Sequence, residues 1–493
     1  MSLLLCNARI LGGEPVDLFL RDGTVAAIGP DLAAAAETAA AAETVDLEGR
    51  YILPGLWDAH VHLSQHALNH RRVDISGARS AAQAAALMAE AATSSAPRSG
   101  LPLVGFGFRD GLWPDAPTAA LLDTVLGAVP TVIISGDLHC CWLNSAALAR
   151  FGAGGHPSGI LREDDAFPII AALHDVPDAV LDAWVADAAA AAARRGVVGI
   201  VDFEMADNLA VWNRRFAGGF TGLRVAAAIY PQHLEAAISA GRFTGQIMPG
   251  TGGLLSVGPF KVLTDGSLNT RTAFCVDEYP GLKGQPNAHG ILTVSPVELA
   301  PLLRRASGAG LLPAVHAIGD EANRLALDAF ESVGCRGRIE HAQLLQRADL
   351  PRFAALGVTA SVQPEQAMDD RDVADRYWAG RTGRAFSLRS LLDAGADLLL
   401  GSDAPVAPLD PWVTIAAAVW RSRDGRLAWH PEQGITATEA ITASAQGRSR
   451  VSVGEVADLA IVDVDPLTAS SDELRTMPVS GTILGSRWTH NSL

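Results

Sequence analysis

Eight short apolar segments alternate with longer segments of helical pattern between residues 56 and 403. They cover residues 56–62, 199–203, 223–229, 257–263, 312–316, 338–341, 358–362 and 396–403. Strands that alternate with helices are typical of a parallel sheet, because each helix carries the chain back across the sheet. Eight such units predict an α/β fold of the TIM-barrel type, whose active site lies at the carboxyl ends of the strands.

The two ends of the chain show short strands without helices between them. Apolar and polar side chains alternate over residues 3–30, with breaks at turns that contain glycine. Further strand-like segments lie at residues 45–53, 456–463 and 481–484. We therefore predict a small β-sandwich built from residues 1–55 and 450–493, and a barrel domain over residues 56–449. The alanine-rich tract at residues 33–42 is interpreted as a loop expansion or a short helix.

One connection of the predicted barrel is much longer than the others. Residues 64–177 separate the first strand from the second unit and contain two more strand-like runs, at 103–108 and 131–134. This insertion leaves from the carboxyl end of the first strand, so we expect it to fold over the catalytic mouth. Long insertions at that place are usually lids or specificity modules.

Composition excludes several classes of protein. The formal net charge of −16 disfavours binding to nucleic acid or to anionic membrane surfaces. No apolar run reaches the roughly 18 residues of a membrane-spanning helix. Five cysteines, an odd number in so long a chain, fit a reducing compartment rather than a disulfide framework. We expect a cytoplasmic protein that acts on a small molecule, binds neither nucleic acid nor membrane, and has the homodimer as its default assembly.

Histidines concentrate at the predicted strand ends, where a barrel presents its active-site groups. His60 and His62 lie two residues apart on the first strand, so both side chains point to one face. The fourth, fifth, sixth and eighth strands end with Lys261, His316, His341 and Asp403. Four of the 13 histidines of the chain occupy these positions. Each histidine alone is compatible with ordinary packing, but the six residues together predict a metal site.

This mixture of residue types suits a divalent metal. Imidazole nitrogens and carboxylate oxygens bind zinc and similar ions, and an open coordination position leaves room for water. A metal lowers the pKa of its bound water from about 16 towards 7. A carboxylate beside that water can accept its proton and deliver it to a departing amine.

The two lysines of the chain are conspicuous because the other basic residues are arginines. They are Lys261 and Lys283 in a total of 38 basic side chains. A lysine in such a chain is a candidate for work that arginine cannot do, such as reacting through a neutral amine. Codon bias alone explains the scarcity equally well, but not the positions of the two lysines. The position of Lys261 at a strand end makes it the candidate for such work.

Four motifs at the strand ends resemble those of the amidohydrolase superfamily, and more narrowly of its branch that includes N-substituted formamide deformylases. The motifs are PGLWDAHVH at residues 54–62, VHAIGD at 315–320, IEHAQ at 339–343 and GSDAPV at 401–406. The resemblance spans nearly the whole chain, because GEVADL at residues 454–459 is similar to the family's return strand in the sandwich. The set is specific as a whole, although His-x-His alone is not.

The resemblance implies a metal-dependent hydrolase of C–N bonds. It implies that His60 and His62 bind the more buried metal, that His316 and His341 bind a second one, and that Asp403 is a ligand and the general base. The implied metals are two zinc ions, with manganese, iron or nickel as alternatives.

The family often bridges two metals with a lysine that carbon dioxide has carbamylated, and Lys261 matches that position. An apolar strand lowers the pKa of a lysine by desolvation, and the neutral amine is the form that reacts with carbon dioxide. The alternative is an unmodified Lys261 that pairs with Asp403 or Asp265 in a site with one metal or none.

Residues of the predicted insertion and of one loop are candidates for contact with substrate. The resemblance places His139 near the substrate carbonyl, as a further catalytic residue, although a surface or capping role fits the sequence equally well. Arg271 could bind a substrate carboxylate or form a loop ion pair. Trp113 and Trp142 either wall an apolar pocket or pack the core of the insertion.

Several polar residues near the motifs are given other roles. We expect His66 and His70 to belong to the lid, and Asp320 to cap a helix at residues 321–333. By strand alternation, Glu340 is expected to face the helix layer, away from His341.

The leading prediction for function is hydrolysis of an amide, N-substituted formamide, carbamate or imide of a small molecule. The nearest alternative is hydrolysis of esters or cyclic amides at the same centre. A barrel that has lost its chemistry and serves as a scaffold is the remaining class, and the six filled positions argue against it.

Overall fold

A parallel sheet of eight strands forms the centre of the computed structural model, which describes residues 2–32, 43–94, 102–173 and 176–493. In order around the sheet, the strands are Leu56–Val61, Val197–Asp202, Arg224–Ile229, Leu255–Leu263, Pro313–Ala317, Gly337–His341, Val358–Val362 and Leu398–Leu400. The Asp403 amide donates to the His60 carbonyl at 2.7 Å, and the His62 amide donates to the Ala404 carbonyl at 2.8 Å. These bonds bring the last strand end against the first. The predicted barrel, with all eight strands, is confirmed.

Helices surround this sheet and cover its apolar outer face. They are Leu63–Asn69, Asp178–Ala193, Asn208–Ala217, Pro231–Ser239, Pro296–Gly308, Asp320–Val333, Leu350–Leu356, Pro364–Tyr377, Leu388–Asp393, Pro411–Trp420, Ala437–Ser444 and, near the C-terminus, Ser471–Arg475. Two short 3₁₀ turns lie at Thr382–Arg384 and Pro431–Gln433. Among the residues that the structure describes, no helix combines the length and the apolar character that crossing a membrane requires.

The barrel helix Asp320–Val333 illustrates why these segments are helical. Its buried residues, including Ala322, Ala326 and Phe330, recur at a helical spacing and pack into the barrel core. It ends at Gly334, whose φ of 70° is the left-handed conformation that glycine tolerates best. Asp320 is not the cap that the sequence predicted. The cap position is Gly319, and the Asp320 carboxylate instead accepts from the Val276 amide at 3.0 Å.

Both termini contribute to one further sheet. Its strands are Ser2–Ile10, Pro15–Arg21, Thr24–Gly29, Glu43–Asp46, Tyr51–Pro54, Leu459–Val462, Val479–Leu484 and Arg487–Asn491. The predicted joining of the two termini is confirmed, and hydrogen bonds connect these eight strands into one sheet. The strand Ser2–Ile10 pairs with Glu43–Asp46 along one half and with Tyr51–Pro54 along the other. Its pairing with Pro15–Arg21 is irregular between Leu5 and Ala8. The alanine-rich tract at 33–42 lies outside the described residues.

The insertion folds around a sheet of its own. Its strands are Val73–Asp74, Leu103–Phe108, Thr131–Ser135, Cys140–Leu143 and Ile160–Arg162, and its helices are Ala81–Ser94, Ala119–Leu126, Ser145–Arg150 and Phe167–Ala172, with 3₁₀ turns at Asp110–Leu112 and Glu163–Asp165. The two predicted strand-like runs are therefore strands. Arg109 joins this module to the barrel, because its guanidinium donates to the Asp369 carboxylate at 3.2 Å and to the Val406 carbonyl at 3.0 Å. Val406 lies just beyond Asp403, so the insertion is attached at the mouth.

Candidate metal centre

Three side chains at the joint between the first and last barrel strands converge on one point. Asp403 Oδ1 lies 3.5 Å from His60 Nε2 and 3.4 Å from His62 Nε2. One ligand atom from each of these residues lies within 4.8 Å of the others. The Asp403 backbone has a φ of 60°, a left-handed conformation that only a few per cent of residues other than glycine adopt. Such strained positions cluster at functional sites, where the surrounding structure enforces them.

Glu340, on another strand of the barrel, determines which ring nitrogen of His60 carries the proton. His60 Nδ1 lies 2.7 Å from Glu340 Oε2, and a carboxylate can only accept, so the ring carries its proton on Nδ1. The Nε2 lone pair then faces the carboxylate of Asp403. These two acceptors, His60 Nε2 and the Asp403 carboxylate, repel each other unless a cation lies between or beside them.

Glu340 is buried inside the barrel, so the expectation that it faces the helix layer is wrong. Strand alternation places Arg338 and Glu340 on the inner face, where the Arg338 guanidinium contacts the Glu340 carboxylate. His341 reaches the same interior because its φ of 77° interrupts the regular strand. Burial alone favours the neutral acid, but Arg338 and Lys261 hold the pKa of Glu340 below its ordinary value. Glu340 is therefore a carboxylate that orients His60.

The other predicted ligands lie beside this cluster. The ring centres of His60 and His341 are 5.0 Å apart, and those of His341 and His316 are 4.4 Å apart. The Lys261 amine lies 3.3 Å from His60 Nε2. All six side chains that the sequence singled out at strand ends thus surround one interior space.

Two of these histidines are oriented by residues outside the predicted set. His341 Nδ1 lies 2.8 Å from the side-chain oxygen of Gln363, and His316 Nε2 lies 3.3 Å from Asp265 Oδ1. Asp265 also accepts from the backbone amides of Ile318 and Gly319, each within 3.0 Å. Asp265 is thus part of the support for His316, and it does not serve as the Lys261 partner that the alternative reading allowed.

Burial sets the charge of the cluster. Removal from water, followed by the charge of Lys261, lowers the pKa of His60 well below its ordinary value. Removal from water also lowers the pKa of Lys261 to about 8, although Glu340 and Asp403 act in the opposite direction. Burial raises the pKa of Asp403, but His60 and His62 outweigh it and hold that pKa below its ordinary value. The arrangement at neutral pH is a neutral His60 beside a carboxylate, as metal coordination requires.

These residues fit a divalent metal ion. Ligand atoms that lie about 2.0–2.2 Å from one ion are separated from each other by roughly 3 to 4 Å, as Asp403 Oδ1 is from the Nε2 atoms of His60 and His62. The contact of His60 with Glu340 is the kind of outer hydrogen bond that metal-binding histidines make. Metal binding by the six residues stays a prediction. For three of them, His60, His62 and Asp403, one ligand atom each lies within 4.8 Å of the others.

A cavity lies over the cluster and is bounded by both the barrel and the insertion. His139, from the insertion, lines it, and the His139 ring centre lies 5.9 Å from that of His316. The apolar part of the wall includes Phe167, Ile170 and Ala171. His139 therefore lines the cavity, and its contact with a substrate stays a prediction.

Three of the predicted substrate-contacting residues lie elsewhere. Trp142 is fully buried in the core of the insertion, and the Trp113 indole donates to the Ala78 carbonyl at 3.2 Å within the same module. The Arg271 guanidinium lies 5.4 Å from the ring centre of Tyr377. None of the three is among the described residues that line the cavity. The two tryptophans pack the insertion because its small sheet needs an apolar core of its own.

The histidines assigned to the lid form a local pair. His66 and His70 lie one helical turn apart in and just after Leu63–Asn69, with their Nε2 atoms 3.1 Å apart. Neither is among the described residues that line the cavity.

Sequence reasoning missed the residues that support the predicted ligands. Gln366 donates to Asp403 Oδ2 at 3.0 Å, and Glu163 accepts from His139 Nδ1 at 2.7 Å. The polar residues that follow the seventh strand, Gln363 and Gln366, could have been found by marking its carboxyl end in the same way as the others. Glu163 had no such signal, because it lies in the insertion.

The class of protein follows from this barrel and its histidine cluster, and a family comparison agrees. The Amidohydrolase family model matches residues 43–490, and the chain belongs to this family. The Arabidopsis thaliana protein LONG AFTER FAR-RED 3 is 28% identical over 90% of this chain and 82% of its own length. The N-substituted formamide deformylase of Arthrobacter pascens is 27% identical over 93% of this chain and 91% of its own. A metal-dependent hydrolase from Pyrococcus horikoshii OT3 matches with a TM-score of 0.78 and 26% identity, over 96% of this chain and 99% of that one.

Proposed function

We propose that the protein hydrolyses the C–N bond of an uncharged small molecule, namely an N-substituted formamide, another amide, a carbamate or an imide. The observation that carries this proposal is the convergence of His60, His62 and Asp403 beneath a cavity. Similarity to an N-substituted formamide deformylase along nearly the full length of both chains supports the choice of a C–N bond.

Asp403 is the residue that we assign to proton transfer. Its carboxylate is ionised at neutral pH, and Gln366 fixes its orientation by donating to Oδ2 at 3.0 Å. Asp403 thus accepts a proton from the attacking water and delivers it to the leaving nitrogen, which departs as a neutral amine. The divalent metal that these residues would hold lowers the pKa of a water molecule towards 7.

We infer that His60, His62, His316, His341 and Asp403 hold the metals, with two zinc ions as the first choice and manganese, iron or nickel as alternatives. Lys261 is the site at which we propose addition of carbon dioxide. Its amine nitrogen would form a bond to the carbon of CO₂ and release one proton, and the product is a carbamate anion. The burial of Lys261 favours the neutral amine that this step consumes.

The charges around the cavity support an uncharged substrate. Arg109 lines the cavity, but its charge is balanced within the protein by Asp369 and Asp370, and it also donates to the Val406 carbonyl. Asp137 accepts from the hydroxyls of Ser135 and Ser267, each at 2.6 Å. The apolar wall formed by the insertion helix Phe167–Ala172 suits an apolar substituent.

The test is hydrolysis of a matched panel by purified protein of known metal content. The panel pairs N-formyl, N-acyl and carbamate derivatives of apolar amines with the corresponding esters and with N-acyl amino acids. We expect the uncharged C–N compounds to be the best substrates and Asp403→Asn to abolish their turnover. Faster turnover of the esters, or a preference for the N-acyl amino acids, would contradict the proposed substrate class.

A further inference from the structure

Two residues of the insertion, His139 and Glu163, are locked to each other by backbone and side chain. His139 immediately precedes the strand Cys140–Leu143, and Glu163 immediately follows Ile160–Arg162, with which that strand pairs antiparallel. The Glu163 amide donates to the His139 carbonyl at 2.9 Å, and His139 Nδ1 lies 2.7 Å from Glu163 Oε2. Strand pairing therefore fixes the register at which the carboxylate meets the imidazole.

The backbone conformation and the burial of Glu163 are both unfavourable on their own. Its φ of 47° is left-handed, and its carboxylate is buried with 7% of the residue exposed. Both features are unfavourable unless the surroundings compensate. The hydroxyl of Thr272 compensates by donating to Oε1 at 2.6 Å from a barrel loop.

A glycine of the same loop leaves room for this contact. A Cβ at Gly266 would lie 2.1 Å from the Thr272 hydroxyl oxygen and 2.7 Å from Glu163 Oε1. No side chain fits at position 266. Glycine there lets the barrel loop approach the insertion closely enough for Thr272 to contact the Glu163 carboxylate.

We propose that Glu163 is a positioning residue, which holds His139 by Nδ1 so that Nε2 points into the cavity and hydrogen-bonds the substrate. This inference rests on the proposed function, because it concerns the substrate of that same site. A carboxylate accepts only, so the Nδ1 proton is fixed, and Nε2 is the ring nitrogen left for substrate. A group that is held in place before the reaction avoids the entropy cost of being ordered during it.

Two neighbouring rings also confine His139. The ring centres of Phe167 and His316 each lie 5.9 Å from that of His139.

The kinetic test compares variants of the metal-loaded protein. We expect Glu163→Ala to lower kcat/KM about 100-fold, mainly through kcat, as misplacement of a group at the reacting centre does. Glu163→Gln keeps an acceptor for Nδ1 and should recover much of that loss. Asp349→Asn, which removes a similarly buried carboxylate that pairs with Arg352, is the matched control and should keep wild-type rates. In a His139→Ala background, Glu163→Ala should have no further effect, and an additive loss would overturn the proposal.

A second readout does not depend on substrate. The ¹⁵N chemical shifts of His139, identified by its loss in His139→Ala, should show a protonated Nδ1 in the wild type and not in Glu163→Ala. A wild-type ring with an unprotonated Nδ1 would overturn the inference. If this signature is found while the amide panel shows no turnover, the proposed function fails and the positioning by Glu163 stands.

Discussion

The barrel and the insertion place their polar groups in different ways. In the barrel, the carboxyl ends of parallel strands meet at one mouth, so residues as distant as His60 and Asp403 come together by topology. In the insertion, the position of a side chain depends on how a small module packs. There, Trp142 forms core, while His139 reaches the cavity with Glu163 behind it. The barrel supplies the predicted chemistry, and the insertion supplies contacts that only the folded structure displays.

Asp403→Asn should have the largest effect on turnover. It tests whether the strand-end residues of the barrel carry the chemistry. The amide has the shape of the carboxylate but cannot accept and return a proton, so we expect kcat to fall at least about 1,000-fold. Circular dichroism and the midpoint of thermal unfolding should show that the barrel still folds. A variant that keeps a tenth of wild-type turnover would show that proton transfer lies elsewhere.

Glu340→Gln should weaken metal binding, because Glu340 orients His60 from outside the predicted ligand set. Loss of such an outer contact costs about 10- to 100-fold in metal affinity. It also leaves Arg338 buried beside a neutral partner, so the free energy of unfolding should fall by a few kcal/mol. Competition with a chelator measures the affinity. Glu439→Gln, which breaks a partly exposed pair with Arg389, is the control and should leave affinity unchanged.

Substitutions of Trp142 should change the stability of the insertion while leaving substrate choice intact. Trp142→Ala removes a fully buried side chain and should cost about 3–5 kcal/mol. Trp142→Phe keeps most of the packing, and its KM across the amide panel should stay within about threefold of wild type. A changed order of substrate preference in Trp142→Phe would show that Trp142 lines the substrate pocket.

Arg271→Gln should have the smallest effect. The guanidinium packs over Tyr377, a contact worth about 1 kcal/mol or less, and it does not line the cavity among the described residues. We expect kcat/KM to change less than about threefold for uncharged substrates. A tenfold rise in KM would show that Arg271 binds substrate after all.

The sequence predicted most of the barrel because its signals are local and repeated. All eight strands, the joining of the termini and the six strand-end side chains follow from periodicity and from the motifs. The expectation for Glu340 was wrong because alternation is interrupted at His341, whose left-handed φ lets two consecutive side chains face the interior. Glu163 could not be found, because its role depends on strand pairing inside a module and on a contact with Thr272, 109 residues away.

Titration of metal-free protein with zinc, and then with manganese and nickel, is the most direct test of the central claim that the strand-end residues form a metal centre. We predict at least one tightly bound equivalent in the wild type, with affinity lost in His60→Ala and His62→Ala and kept in His70→Ala, a histidine outside the cluster. If none of the three metals binds the wild type, or if His60→Ala binds as tightly as the wild type, the account is contradicted.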